Sequence, residues 1–244
     1  NNKKMELTVI KQGDFKVDKR KNFEYLKPND ESTSIKLAIQ PFLITLGSDT
    51  ILLDLGLGFL EDNQPVILKR LKDFKINSND ITKILLSHLH KDHADGLGYF
   101  NDNEFVQNFP NTAIYIQKRE YDFALQQTEN PSYNIPLLNE LQNLSNIVWL
   151  HDDEGEITPE IAFKITAGHS KFHQVFWIQE NDSTIFYGAD DLPTTGYLKR
   201  SIAYKTDYDG HKAMEFRKIW KEQAESENWQ VLFYHDLKNP VIQF

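Results

Sequence analysis

The sequence predicts an α+β fold in which two β-sheets pack together with helices on their outer sides. Strands interspersed with helices occur twice along the chain, once in each half. The 244 residues are 40% hydrophobic and 12% aromatic, which is enough to bury a full core. The halves share no repeat of fixed period, and no segment has the composition of a linker. We therefore expect one domain over residues 1–244.

The N-terminal third is predicted to be mostly β. Leu7–Ile10 and Phe15–Val17 read as a hairpin with its turn at Gly13–Asp14. The charged residues 18–33 predict a loop that is expected to border the site. Three further strands are expected at residues 35–39, 41–46 and 50–54. Pro41 marks the break between the first two, and the segment 47–49 separates the second from the third.

The remaining elements follow from apolar spacing and from turn residues. Strands are expected at 81–87, 113–116, 147–150, 161–166, 174–178, 183–187 and 229–234. Helices are expected at 64–74, just after Gly96, at 119–128, from 137 to 144 and at 214–225. Residues 130–136 are predicted to be a loop that either joins a substrate pocket or lies on the surface.

Charge and composition limit the function classes. The formal charge is 27 − 36 = −9 with no Lys/Arg block, which favours a small-molecule substrate over a nucleic acid. The sequence has no cysteine, so it excludes disulfides, thiolate metal sites and cysteine nucleophiles. Residues 1–5 lack the apolar core of a signal peptide, and no run approaches the roughly 18 apolar residues of a membrane span. A cytoplasmic monomer or homodimer without a membrane partner is expected.

The segment Leu55–Gly58 resembles the start of a dinucleotide-binding fingerprint. Glu61 stands where that fingerprint needs its third glycine, so a tight turn is predicted instead. No organic cofactor site is expected.

The densest group of polar residues is His88, His90, Asp92 and His93, four potential metal ligands within six residues. In a helix, at about 100° per residue, they would point in widely different directions. In a strand His93 would face away from the other three. We therefore predict a loop that curls around a divalent transition metal, whose preferred ligands are imidazole and carboxylate. The alternative is a polar surface loop, which the buried strand predicted just before it disfavours.

Three other polar residues follow predicted buried strands in the same way. They are His169, Asp190 and His235. Open α/β sheets place their sites at the carboxyl ends of strands, so these residues are expected at one edge together with the histidine loop. Any one of them alone would more often be structural.

In this set of residues the sequence resembles the metallo-β-lactamase superfamily of hydrolases. The matching motif is His88-x-His90-x-Asp92-His93, followed in order by His169, Asp190 and His235. Further matches are the segments 52–56 and 168–170. The resemblance extends over residues 35–236 and implies an αββα sandwich of two mixed sheets that pack face to face with outer helices.

The resemblance also implies roles for the individual residues. His88, His90 and His169 would hold one metal ion, Asp92, His93 and His235 a second, and Asp190 would bridge them. Asp92 and Asp190 are the residues predicted to act in catalysis. Asp54 matches a position that orients a ligating imidazole, although a simple strand-end carboxylate is equally expected.

Such a centre would activate water for hydrolysis. Three neutral imidazoles leave one position on an ion open for water, and two ions roughly 3.5–4 Å apart can share a hydroxide. Related folds that perform redox chemistry on iron commonly have Glu at the position of His90. The histidine favours two zinc ions, with manganese or iron as alternatives.

Departures from the sequence patterns of individual subfamilies narrow the range of expected substrates. The missing cysteine and the presence of Asp190 argue against antibiotic hydrolysis. The nine residues after His235 (244 − 235) disfavour a thioesterase with a helical C-terminal domain, and no clamp domain or basic exosite indicates RNA processing. Lactonases with a bridging Asp commonly have a Tyr where this chain has Pro193. Three tyrosines of the following loop could replace it, although packing is the expected role for each of them: Tyr197, Tyr204 and Tyr208.

Other polar residues near the motif are expected to be structural. His173 and Asp191 are predicted to support the ligands, and His151 and His211 to lie on the surface. The sequence thus predicts a dinuclear-zinc hydrolase of a small ester-like substrate, with a lactone or carboxylic ester favoured over a phosphoester. An iron oxidoreductase and a non-catalytic metal-binding module are the other classes.

Overall fold

The computed structural model describes residues 4–244. The chain forms two compact units, one that ends at Leu150 and one that begins at His151. Residues 1–3, where no signal peptide is expected, lie outside the described part. The single domain stays a prediction, and each unit is described by itself.

The first unit is mostly β. Its strands are β1 (Glu6–Val9), β2 (Gly13–Val17), β3 (Phe23–Tyr25), β4 (Ile35–Ile39), β5 (Phe42–Leu46), β6 (Asp49–Leu53), β7 (Leu60–Glu61), β8 (Gln64–Pro65), β9 (Lys83–Leu85), β10 (Gly98–Asn101), β11 (Glu104–Gln107), β12 (Ala113–Gln117) and β13 (Ile147–Leu150). Its helices are α1 (Val66–Asp73), α2 (Lys91–Ala94), α3 (Lys118–Ala124) and α4 (Ile135–Glu140). Short 3-10 turns cover Ser78–Asp80, Asp95–Leu97 and Leu141–Asn143.

The largest sheet of this unit has the order β1-β5-β6-β9-β12-β13. From β6 to β13 its neighbours run parallel, and such strands are buried on both faces and read as continuous apolar runs. Ile51, Leu52 and Leu53 accordingly have no exposed surface. Ile67 and Leu71 of α1 pack into the same core, which confirms the predicted helix at 64–74.

Two predictions for this unit are wrong. The expected hairpin of the first two strands does not form, because β1 pairs with β5 whereas β2 pairs with β3 and β4. Gly13 makes no turn; it lies opposite Ile39 within the sheet. The helix expected after Gly96 is the hairpin β10–β11, whose turn residues Asp102 and Asn103 adopt the left-handed φ of 48° and 67° that two-residue hairpin turns need.

The second unit contains a six-stranded sheet and one long helix. Its strands are β14 (Glu154–Thr158), β15 (Ile161–Ile165), β16 (Gln174–Glu180), β17 (Ser183–Tyr187), β18 (Gln230–Leu232) and β19 (Val241–Gln243), paired in that order. A 3-10 turn covers Ala189–Asp191, and the helices are α5 (Gly196–Lys199) and α6 (Gly210–Glu227). The edge strands β14 and β19 were not predicted, since neither has a strong apolar alternation.

Helix α6 connects the parallel strands β17 and β18 and covers one face of the sheet. Asp209 caps its first turn by accepting a hydrogen bond from Lys212 N at 3.0 Å. Trp220 of α6 packs on Phe186 of β17 with ring centroids 4.7 Å apart, in the core that Trp229 completes. In residues 4–244 no helix has both the length and the hydropathy of a bilayer span.

Candidate functional site

The first unit holds its four predicted ligands just after β9. His88 and His90 precede α2, and Asp92 and His93 lie in its single turn, so the predicted loop is a loop followed by helix. His88 Nε2 and His90 Nδ1 are 3.1 Å apart, and His93 Nε2 is 3.6 Å from Asp92 Oδ2. Two nitrogens on one tetrahedral ion at about 2.0–2.1 Å lie about 3.3 Å from each other. The His88–His90 pair therefore has the spacing of two ligands of one ion.

Asp54 supports this cluster through contacts with Ser87 and His93. Its carboxylate is fully buried and accepts hydrogen bonds from Ser87 N at 2.8 Å and from Ser87 Oγ at 2.7 Å. His93 Nδ1 lies 2.8 Å from Asp54 Oδ2. The backbone of Asp54 has a left-handed φ of 57°, which Asp tolerates better than most residues. Asp54 thus occupies the orienting place that the family resemblance implies.

These hydrogen bonds decide which ring nitrogens carry protons. The single Ser87 hydroxyl proton goes to Asp54, so Ser87 Oγ accepts from His88 Nδ1 at 2.9 Å. His93 Nδ1 donates to Asp54 in the same way. In both rings the proton is on Nδ1, and the Nε2 lone pair faces the cluster, as a metal ligand requires.

The second unit brings its three predicted ligands together around Asp190. His169 follows β15, Asp190 lies in the 3-10 turn after β17, and His235 follows β18. Asp190 Oδ2 is 3.2 Å from His169 Nε2, and Asp190 Oδ1 is 3.1 Å from His235 Nε2. One carboxylate thus faces two imidazoles, with a different oxygen toward each.

Asp207 orients His169 and is a residue that the sequence did not reveal. Its Oδ1 lies 3.1 Å from His169 Nδ1, and its side chain is 6% exposed. This contact puts the ring proton on Nδ1 and turns Nε2 toward Asp190. Asp207 follows no strand and belongs to no motif, so spacing alone offered no signal for it.

His173 and Asp191 have the structural role predicted for them. Asp191 Oδ1 accepts from His169 N at 2.7 Å, and its Oδ2 lies 3.4 Å from His173 Nδ1. Asp190 N donates to His173 Nε2 at 3.2 Å. Both side chains are fully buried, and together they fix the backbone on either side of the ligands.

Burial and charge act in opposite directions on the pKa values of this cluster. Burial alone would lower the pKa of His169, but the charge of Asp190 and the hydrogen bond to Asp207 outweigh it and raise the pKa. Burial alone would raise the pKa of Asp191. The charge of His173 and the hydrogen bonds that Asp191 accepts outweigh it, so that pKa is lowered.

His235 is fixed through its neighbours. Its backbone N donates to Pro193 O at 3.0 Å. The Asp236 carboxylate accepts backbone hydrogen bonds at 2.8–3.0 Å from Thr195, Lys238 and Asn239. The carbonyl of Pro193 therefore holds the backbone of His235.

A cavity of about 720 Å³ lies beside α2 in the first unit. Lys91 and Asp95 line it, and the predicted ligands Asp92 and His93 lie between them in the sequence. Its wall is largely aromatic, with Phe15, Phe23, Tyr25, Phe59, Tyr99 and Phe100. Burial raises the pKa of Asp95 to about 7, and Asn134 Nδ2 donates to it at 3.2 Å. The loop 18–33, which contains the unpredicted strand β3, contributes residues 21–25 to this cavity.

The tyrosines proposed as substitutes have packing roles. Tyr197 stacks on Tyr204 with centroids 4.4 Å apart, and the guanidinium of Arg217 lies over both rings. Tyr208 is 60% exposed. His151 and His211 lie on the surface, as predicted.

Comparison with known proteins identifies the family of this chain. The sequence model of the metallo-beta-lactamase superfamily matches residues 37–225. An N-acyl homoserine lactonase of Bacillus thuringiensis is 29% identical over 180 residues, which cover 73% of this chain. The aligned region spans 64% of the length of that relative.

Solved structures show the same fold over nearly the whole chain. A probable metal-dependent hydrolase from Staphylococcus aureus matches with a TM-score of 0.79 at 19% identity, over 98% of this chain and 92% of its own. AidC, a dizinc quorum-quenching lactonase, matches with a TM-score of 0.75 at 23% identity, over 100% and 91%. The predicted fold class, α+β with mixed sheets and helices as in the metallo-β-lactamase-like proteins, is confirmed. The chain therefore belongs to the metallo-β-lactamase superfamily and shares its fold with metal-dependent hydrolases.

Proposed function

We propose that this protein is a dinuclear metal-dependent hydrolase that opens a small ester-like substrate, with a lactone or carboxylic ester favoured. The observation that carries the proposal is the Asp190 carboxylate, whose two oxygens face the Nε2 atoms of His169 and His235. A carboxylate can bridge two ions by giving one oxygen to each of them. The arrangement in the second unit therefore suits two ions better than one.

We propose that both clusters together hold these ions. The ligands are those implied by the family resemblance: His88, His90 and His169 for one ion, Asp92, His93 and His235 for the other, and Asp190 between them. The donor set of imidazoles and carboxylates without any thiolate fits zinc, whereas calcium and magnesium prefer oxygen alone. Supporting this choice, one structural neighbour is described as a dizinc lactonase.

The bound ions would supply a water of lowered pKa and would polarise the substrate carbonyl. The chain itself holds the imidazoles in orientation, through Asp54 and Ser87 in one cluster and Asp207 in the other. Asp92 and Asp190 contribute negative charge that offsets the cations. With this arrangement the reaction needs neither a serine triad nor a cysteine.

The cavity beside α2 supports a substrate with an apolar part. Its aromatic wall can bury an acyl chain or a ring, and Asp95, with a pKa near 7, and Asn134 offer polar contacts. The name of the lactonase relative gives its substrate as an N-acyl homoserine lactone, which carries an acyl group on a lactone ring. A phosphoester is the second candidate, because Lys21 and Lys91 also line the cavity and would attract an anion.

Two measurements test the proposal. Elemental analysis of the purified protein should find about two zinc ions per chain; stoichiometric iron with little zinc would instead favour an oxidoreductase. A panel of N-acyl homoserine lactones, aryl esters and phosphoesters, assayed with metal added, should show turnover of the lactones or esters. If the protein with its metal sites filled turned over none of these compounds, the proposal that it is a hydrolase would be wrong.

The variant Lys91→Met separates the two substrate classes. Loss of its ammonium should lower turnover of an anionic phosphoester much more than turnover of a neutral lactone. The matched control is Lys72→Met, an exposed lysine of α1 outside the cavity. The cytoplasmic location and the monomeric or homodimeric state remain predictions.

A further inference from the structure

A second cavity, of about 340 Å³, lies in the second unit between α5 and α6. None of the predicted ligands lines it. Five basic residues do: Lys199, Arg200, Arg217, Lys218 and Lys221. Two carboxylates, Glu222 and Glu225, also line it, so the formal charge of the lining is 5 − 2 = +3. In a chain of net charge −9 this concentration of positive charge is unusual.

Most of these cations lack a carboxylate partner. Lys218 pairs with Glu215 at 3.0 Å. Within residues 4–244 no ion pair is formed by Lys199, Arg200 or Lys221. Cations left without partners in a concave surface repel one another, and an anion relieves that repulsion.

Arg217 provides a fixed guanidinium in the cavity lining. It is 3% exposed, donates from its two terminal nitrogens to Asp191 O at 2.9 Å and Ile202 O at 2.6 Å, and lies over the Tyr197 ring at 5.1 Å. In the described part of the chain it makes no ion pair, and its Nε has no hydrogen-bond partner. The charges of Asp191 and Asp207 act on this guanidinium from beyond ion-pair distance, so a bound anion in direct contact would compensate its buried charge further.

We propose that this cavity binds a small phosphate monoester. Such a group carries about −1.5 to −2 charges at neutral pH and has several acceptor oxygens for guanidinium and ammonium groups. The volume is at the lower end of the range for small-molecule pockets, which fits a compact phosphorylated metabolite better than a polymer. The site is separate from the proposed hydrolytic centre and stands whether or not that centre is a hydrolase.

Isothermal titration with inorganic phosphate and with glycerol 3-phosphate, at constant ionic strength, tests the proposal. The wild-type protein should bind glycerol 3-phosphate, and Lys221→Glu should weaken binding by about tenfold or more, since the charge change is two units at an exposed site. The matched control is Lys212→Glu, which makes the same change on the same helix outside the cavity and should leave binding unchanged. Both positions are exposed, so both variants should fold, as circular dichroism would verify.

Four outcomes would overturn the proposal. One is no binding of either phosphate compound to the wild-type protein, and another is equal weakening by both charge reversals. The third is binding that Lys221→Glu does not change, which would place the phosphate elsewhere, for instance on metal ions. Binding of neutral glycerol with the same affinity as glycerol 3-phosphate would also contradict a site selective for phosphate.

Discussion

The two clusters of proposed ligands are built in different ways. In the first unit four ligands come from six consecutive residues, and one buried carboxylate, Asp54, contacts both Ser87 and His93 beneath them. In the second unit three ligands come from three separate segments that span 235 − 169 = 66 positions. There Asp207 and Asp191 both hold the segment of His169, whereas Asp236, the residue after His235, accepts a hydrogen bond from the backbone of Thr195.

This difference indicates how each cluster responds to change. The first depends on one buried residue, because Asp54 fixes Ser87, His93 and, through Ser87, His88. The second distributes its support, so that loss of one supporting carboxylate should leave the other segments in place. Its weak point is Asp190, which contacts both other predicted ligands of that unit.

The largest effect is expected for Asp190→Ala. Removal of the proposed bridge should lower kcat/KM by about 10³-fold and reduce bound zinc from about two ions to about one. Steady-state kinetics and elemental analysis would measure both changes. Asp182→Ala, at an exposed turn of the same unit, is the control and should behave like the wild-type protein. Two retained ions with activity within tenfold would show that Asp190 does not bridge.

A smaller effect is expected for Asp54→Asn, which tests the dependence of the first cluster on one residue. The amide nitrogen would face the donors Ser87 Oγ and His93 Nδ1, so zinc affinity should fall by about 10- to 100-fold. The free energy of unfolding should fall by about 2 kcal/mol, because a buried hydrogen-bond acceptor is lost. Chelator competition and urea denaturation measure these quantities, with Asp49→Asn, a partly exposed carboxylate of β6, as the control. An unchanged zinc affinity would contradict the orienting role.

The same contrast explains how much of the molecule the sequence could predict. His88 to His93 form a local motif whose spacing alone excluded a regular helix or strand as the ligand-bearing element. The apolar runs 50–54 and 81–87 marked the central strands correctly, because strands buried on both faces leave that pattern. His169, Asp190 and His235 could be proposed because each follows such a strand.

Contacts that depend on tertiary structure were missed. Asp207 reaches His169 from a loop 38 positions further along the chain, and no local pattern records that approach. The pairing of β1 with β5 instead of β2 is a choice between sheets, and a two-residue period fits either partner. The β10–β11 hairpin depends on the left-handed φ of Asp102 and Asn103, and this pair lacks the glycine that marks the most readily recognised hairpin turns.

The effect of Asp207→Asn should be smaller still, which sharpens the comparison with Asp54. Asp207 orients one proposed ligand, His169. Asp54 orients two, His93 by direct contact and His88 through Ser87. Zinc affinity should therefore fall by about tenfold, near the lower end of the range for such orienting residues. The ratio of the two effects, measured by the same chelator competition, is the informative quantity. A loss as large as that of Asp54→Asn would mean that the second cluster also depends on one carboxylate.

The smallest effect concerns stability at acidic pH. Since the pKa of Asp191 is lowered in the fold, its charged form stabilises the protein above the ordinary carboxyl pKa, and this contribution is lost as the pH falls through the lowered value. Asp191→Asn should lower the free energy of unfolding by about 1–2 kcal/mol between pH 5 and pH 8. The difference between variant and wild type should shrink below about pH 4. Urea denaturation across this range of pH measures it, with Asp182→Asn as the exposed control. A difference that stays constant down to pH 2 would mean that Asp191 acts through shape and hydrogen bonding, and its charge would then contribute nothing to holding His169 and His173 in place.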